Sequence, residues 1–197
     1  MNKELAYYSN EKVLNDTNQQ INSKISKIPL LGVLIGILAV FLFSVLLSAV
    51  VYEETRDTMP GLVMVVFLII GAVGGFLIGK VFGSKIKFKA TVFIESVRKS
   101  KISVSDNGIN CNCFNLRDIS KKHKSPFTVF ANVLEAEMLT VSLNYNQINS
   151  VSIKNYDMGK VNYGYTLIIN SSGTEYALFC MDKDMSDNAK NAIISNK

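Results

Sequence analysis

Two long apolar runs interrupt an otherwise mixed chain. Residues 28–52 read IPLLGVLIGILAVFLFSVLLSAVVY and hold no charge. Residues 60–82 read PGLVMVVFLIIGAVGGFLIGKVF, with Lys80, near the end, as the only charge. A bilayer core takes about 20 apolar residues as helix, so each run predicts a transmembrane helix. The first run follows a polar segment, residues 1–27, and is longer than the apolar region of a signal peptide, so we read it as a retained span. The short join EETRDTM, residues 53–59, makes the two spans a hairpin.

Outside the runs the period changes. In residues 1–27 the apolar positions Leu5, Tyr7, Tyr8, Val13, Leu14, Ile21 and Ile25 follow no sustained period, which predicts a mostly flexible polar tail that can become helical near the membrane. Residues 83–100 form a basic juxtamembrane linker whose pattern is ambiguous. KIKFK alternates like a strand, whereas Ile86, Ala90, Phe93 and Val97 fit one face of a helix. From Lys101 onward the pattern is β. KISVS alternates, Asp106-Asn107-Gly108 supplies a turn, and INCNCF continues. FTVFANVL, EMLTVSL and INSVSIKNY are further strands, and YTLIIN–SSG–TEYALF is a hairpin. A short helix closes the chain, with Asp184 or Ser186 as its cap, Asp187 in its first turn, and Met185, Ala189 and Ile193 as its apolar face. Six or seven strands followed by one helix predict a small antiparallel barrel with a helix at one open end. The fold class expected is an α+β membrane protein: a two-helix transmembrane hairpin plus a β domain over residues 101–197.

Composition and charge add an orientation. The chain has 197 residues, 48% hydrophobic, with net charge +5 and mean hydropathy +0.22. Lys24 and Lys27 precede the first span, and Lys80, Lys85, Lys87 and Lys89 sit at or after the end of the second. The connecting loop holds Arg56 against Glu53, Glu54 and Asp57. Lysine-rich flanks stay inside, which places both termini in the cytoplasm and the loop outside a cell membrane crossed twice. Small residues let membrane helices approach closely. Gly32 and Gly36 in the first span, and Gly71, Gly75 and Gly79 in the second, fall at matched depth in a hairpin. They are expected to face each other or a symmetry mate. Ser44 and Ser48 are expected to bond back to their own helix carbonyls. The spans contain no acid, histidine or central cation, which argues against a pump or transporter though not against a passive oligomeric pore.

The β segment resembles the bacterial pleckstrin-homology-like (PH-like) domains, which are often joined to membrane helices. The matching stretches are KISVSDNGINC, then LNYNQINSVSI with Tyr145 and Gln147-Ile148 leading into Ser150-Val151, then YTLIINSSGTEYALF before the helix. The resemblance covers residues 101–194 and departs around residues 115–126. It implies a binding or scaffolding fold, and it carries over no ligand residues.

Two local features carry candidate chemistry. Cys111 and Cys113 are two apart, which on a strand is one face. Zinc needs four ligands, and only Cys180 and His123 remain, so we read small core residues in a reduced compartment. Arg117, Lys121, Lys122, His123 and Lys124 form a basic loop, of which Arg117, Lys121, Lys122 and Lys124 are candidates for contact with an anionic surface. The motifs GxGxxG, HExxH, GxSxG and the phosphate-binding P-loop are absent. We assign no catalytic, cofactor-binding or metal-ligating residue, no nucleic-acid partner and no small-molecule substrate. The function expected is a membrane-anchored, non-enzymatic binding or scaffold protein that engages the bilayer and a protein partner or itself. The alternative is a subunit of a small oligomeric channel or transporter assembled through the glycine faces.

Overall fold

The structure, a computed structural model, describes residues 5–55, 61–116, 138–158 and 161–197. The expected strand FTVFANVL lies outside the described residues. The elements run in order β1 (Leu5–Tyr8), α1 (Glu11–Ile25), α2 (Ile28–Thr55), α3 (Gly61–Lys99), β2 (Lys101–Ser105), β3 (Gly108–Asn115), β4 (Met138–Leu143), β5 (Ile148–Met158), β6 (Val161–Ser171), β7 (Thr174–Met181) and α4 (Lys183–Ser195). A 3-10 turn, Tyr145–Gln147, precedes β5. Contacts divide the chain into two compact units, Asn22–Lys87 and a second made of residues 1–21 with 88–197.

The first unit holds two helices long and apolar enough to cross a membrane. Among the described residues little of their most apolar stretches is buried, 6% and 11%. Leu30, Leu34, Leu38, Ile70 and Ile78 are all exposed. Ser44 is buried, and its hydroxyl finds no hydrogen-bond partner among the described residues. The expected bond from Ser44 to its own helix is therefore absent.

In the second unit the strands form one antiparallel sheet in the order β1-β2-β3-β7-β6-β5, with β4 added to β3. One edge of β3 carries β4 over Ile109–Phe114. The opposite edge is shared in succession: β2 takes residues 108–112 and β7 takes Phe114 and Asn115. Two strands diverging from one edge force the sheet to curl. Among the described residues no ladder joins β5 to β1 or β4, so the expected barrel is an open, curled half-barrel. The helix α4 packs on β2, β5 and β6, strands from opposite wings of the curl. Ala189 and Ile193 of α4 are fully buried there with Ile102, Val104, Ile109, Leu167, Ile169 and Leu178.

Both hairpin turns form, with different geometry. Ser172 and Gly173 have φ of 51° and 77°, the type I′ pattern that matches the strand twist. At the first turn neither Asp106 nor Asn107 has positive φ, and Gly108 is already paired with Ser105. Glycine is needed there for close approach, since a side chain would strike the Leu143 carbonyl. The Tyr145 hydroxyl holds this turn by donating to the Ser105 carbonyl.

The segment expected as a flexible tail is ordered structure. β1 pairs with β2 in the register Leu5↔Val104 to Tyr8↔Lys101. α1 buries Leu14, Thr17 and Ile21, a helical stripe that an apolar count misses because Thr17 is polar. The ambiguous linker is helical, being the last turns of α3, with Ile86, Ala90, Phe93 and Val97 buried on one face. Phe93 packs on Phe114, Tyr163 and Phe179 at centroid distances of 5.4, 5.9 and 6.1 Å. Such aromatic clusters add specific edge and tilt contacts to simple burial. The sheet is thus covered on both faces, by α4 on one and by α1 with the end of α3 on the other.

Two helix starts meet at one point. Asn10 caps α1, its Oδ1 accepting from the N–H groups of Lys12 and Val13 at 2.9 and 3.2 Å. Its amide Nδ2 donates to Asp182 Oδ2 at 2.9 Å. Asp182 caps α4 by accepting from the Met185 N–H at 2.7 Å, which displaces Asp184 and Ser186 from the expected role and puts Asp184 in the first turn. Replacing Asn10 with Ala removes one cap and one bond to the other. The expected cost is about 1–2 kcal/mol in chemical denaturation of the full chain. Amide exchange over residues 11–21 should rise more than over β3; equal effects on both would show that the cap does not hold α1 specifically.

Candidate functional site

The described residues offer three places where function could reside. The first is the glycine face of the helical unit. A Cβ on Gly32 would fall on the Gly75 carbonyl oxygen and 3.1 Å from the Gly79 Cα. One on Gly36 would meet the Gly71 carbonyl and lie 3.1 Å from the Gly75 Cα. Gly79 approaches the Pro29 Cα in the same way, at 2.9 Å. Each close contact is backbone to backbone and cannot yield by a rotamer change. The geometry brings all five glycines into one seam between α2 and α3.

The second place is a cleft of about 320 Å³ between α1 and the ends of β5, β6 and β7. Its origin is a bulge. Between the pairs Tyr165↔Met181 and Leu167↔Leu178, β7 advances three residues while β6 advances two. The extra residue puts Cys180 at φ 59°, a left-handed conformation rare for a side-chain-bearing residue. Alternation breaks there. Leu178 and Met181 join the core beneath α4, whereas Phe179 packs with Phe93 and the Cys180 thiol meets Thr17 at 3.7 Å. Gly164, at φ 66°, completes the depression, because any Cβ there would strike Val13 of α1 at 2.5 Å.

Hydrogen bonds seat α1 over this floor. The Thr17 hydroxyl lies 2.9 Å from the carbonyls of Val13 and Asn162 and shares its single hydrogen between them. The Asn162 N–H donates to Gln20 Oε1 at 2.9 Å, and the Asn10 N–H to the Cys180 carbonyl at 2.6 Å. What faces the opening is Asp16, Gln20, Asn155, Tyr165, Asp182 and Lys183. That set can hydrogen-bond a polar group. Sequence reasoning missed the cleft, since it is made by a bulge and by a helix whose key contact residue is a threonine.

The third place is the cysteine pair. Cys111 and Cys113 are buried on one face of β3 with sulfurs 3.1 Å apart. The bond to Cys111 and burial push the Cys113 thiol far up, so the pair keeps at least one proton. Cys180 is pushed up to about 12 by burial, offset in part by its bond to Thr17. Among the described residues no group of three or more His, Cys, Asp or Glu is placed to hold a metal. The basic loop candidates Arg117, Lys121, Lys122 and Lys124, and His123 with them, lie outside the described residues.

No family model, curated protein or solved structure matches this chain significantly. The residues themselves must therefore carry the functional reading.

Two outcomes test the geometry. Gly75→Leu forces a branched side chain onto the Gly32 backbone and should cost about 1–3 kcal/mol of helix-pair stability, read by thermal unfolding in detergent. A fully wild-type transition would show that the seam is not closed by these glycines. For Cys180 the unfolded thiol loses its proton near 9 and the folded one near 12. The buried neutral thiol stabilises fully below pH 9, and that contribution falls as pH rises through 12. Cys180→Ala should therefore lose stability less steeply than the wild type between pH 9 and 12, measured as a difference in denaturant midpoint.

Proposed function

We propose that this chain is a membrane-anchored, non-enzymatic binding or scaffold protein. Its two apolar helices cross the cell membrane as a hairpin, both termini are cytoplasmic, and its PH-like β domain recognises a protein partner or the inner membrane surface. One observation carries this reading. β1 precedes the helical unit and β2 follows it, yet the two strands pair in one sheet. A chain that leaves a folded domain and returns to it must cross a bilayer an even number of times. Two apolar helices meet that condition. The lysines flanking the spans then favour the cytoplasmic side for the β domain.

The exposed side chains of α2 and α3 support the same reading. A soluble chain rarely shows contiguous apolar patches beyond a few hundred Å². Here Leu, Ile and Phe side chains are exposed along the apolar runs of both helices, while the glycine seam between them is closed. The channel alternative relies on those glycines for assembly between copies, but the hairpin already uses them.

For binding, the polar cleft beside α1 and the basic loop Arg117, Lys121, Lys122 and Lys124 are the two surfaces we assign to the domain. The topology is tested with single cysteines read by a membrane-impermeant maleimide. The three native thiols are buried and give little background. Asp57→Cys should label in intact cells, and Ser195→Cys only after permeabilisation. Labelling of both positions from the same side would overturn the two-crossing reading. Capture of the full chain from its native membrane should retain a stoichiometric partner that neutral substitutions at Arg117, Lys121, Lys122 and Lys124, or Asp16→Ala with Lys183→Ala, release.

A further inference from the structure

The cleft beside α1 holds charges that the fold itself does not use. Asp16 on α1 and Lys183 on α4 both line it. Both are exposed, and among the described residues neither side chain has an ion-pair or hydrogen-bond partner. The second acid of the cleft, Asp182, is committed. Its Oδ1 accepts from the Met185 N–H at 2.7 Å and its Oδ2 from Asn10 Nδ2 at 2.9 Å. One carboxylate and one ammonium group therefore share a depression of about 320 Å³ without closing on each other.

Lys183 stands against its local preference. It is the first residue of α4, the end at which the helix dipole favours acids over cations. The acids beside it in sequence serve the helix, Asp182 as its cap and Asp184 in its first turn. The rest of the lining is neutral and of two kinds. Val13, Met181 and the half-buried Tyr165 ring offer apolar surface. Gln20 and Asn155 offer amides. Gln20 Oε1 already accepts from the Asn162 N–H at 2.9 Å, which leaves its amide N–H groups for a guest.

We infer that this cleft binds a small zwitterion: an α-amino acid with an apolar side chain, or a short peptide of such residues. The guest's ammonium group meets Asp16, its carboxylate meets Lys183, and its side chain lies on Val13, Met181 and Tyr165. The inference rests on reading the cleft as a binding surface and names what that surface takes. A simple cation would pair with Asp16 but face Lys183, and a simple anion would do the reverse. A guest with both charges satisfies both residues and is held in one direction. Charge-assisted hydrogen bonds of this kind are the stronger class. The volume is at the small end for small-molecule sites, which suits an amino acid or a dipeptide. Those two sources carry the same charges at different separations.

The experiment titrates the full chain in neutral detergent with leucine, phenylalanine and leucyl-leucine, read by calorimetry. N-acetyl-leucine lacks the cation, leucinamide lacks the anion, and N-acetyl-leucinamide lacks both. The zwitterion should bind about fivefold or more tighter than either singly charged analogue. The tighter of leucine and leucyl-leucine identifies the source. Asp16→Asn should bring leucine down to the affinity of N-acetyl-leucine and leave N-acetyl-leucine unchanged. Lys183→Gln should bring leucine down to the affinity of leucinamide and leave leucinamide unchanged. Both positions are exposed, so thermal unfolding of the variants should match the wild type, and the analogue series needs no variant. Equal binding of zwitterion and capped analogues, or no heat from any of the three free ligands at millimolar concentration, overturns the proposal. If the ligands fail while Asp16→Ala with Lys183→Ala still releases a captured partner, the cleft is a protein surface and this inference alone falls. If that release fails too, the cleft is not a binding surface.

Discussion

The extra residue in β7 is the constraint on which the β domain depends. A regular strand would have sent Cys180 to the α4 side and Met181 to the other. The bulge instead delivers Phe179 and Cys180 to the same face, then returns Met181 to the core beneath α4. That face is where Phe93 and Thr17 pack. Its cost is a left-handed Cys180, of order 1–3 kcal/mol, sustained by the contacts it makes possible. Asn10 reads the bulge directly by donating to the Cys180 carbonyl, and Asp182, two residues on, joins the caps of α1 and α4. One irregularity thus determines where two helices begin.

Much of this architecture was legible in the sequence, and the parts that were not share a reason. The apolar runs and the Ser172-Gly173 hairpin are regular, so periodicity finds them, whereas the Ile86–Ala90–Phe93–Val97 face competes with the strand-like alternation of KIKFK and stayed ambiguous. The bulge breaks the period of two, and no composition rule flags a cysteine with positive φ. α1 was missed because its stripe runs through Thr17, whose burial depends on carbonyls supplied by residues 13 and 162. The cap at Asp182 was missed by two residues, because Asp184 and Ser186 carry the same chemistry and only the meeting with Asn10 decides between them. Among the described residues the barrel does not close: strand count and alternation say nothing about whether the end strands pair.

The candidate surfaces follow the same division. The glycines could be read as a pattern, since spacing alone brings residues 32 and 36 and residues 71, 75 and 79 onto helix faces. Their contact partners could not, because a symmetry mate would satisfy the same spacing. The cleft could not be read at all. It is bounded by residues 13–20, 155, 162–165 and 181–183, and nothing short of the fold gathers them. The cysteine pair shows the converse. The strand period correctly put both thiols on one face, while the bond between them, which sequence leaves open, lowers Cys111 and raises Cys113, with burial a second and upward influence on both.

The discontinuous β domain constrains how the chain can be built. β1 has no partner until β2 exists, and β2 lies beyond both apolar helices in sequence. The Asn10–Asp182 bond spans 172 residues and needs the end of β7 in place. Contacts of such separation pay their loop-closure cost before they return any stabilisation. The glycine seam is different: it joins neighbouring helices through a short loop and can close as soon as both are made. Loop-closure entropy therefore favours closing the seam, with residues 25–29 against 79–83, before closing the sheet. The loop that β1 must close then shortens from nearly the whole intervening chain to the residues left outside the seam. On this argument the backbone contacts of the seam lower the entropic cost of completing the domain.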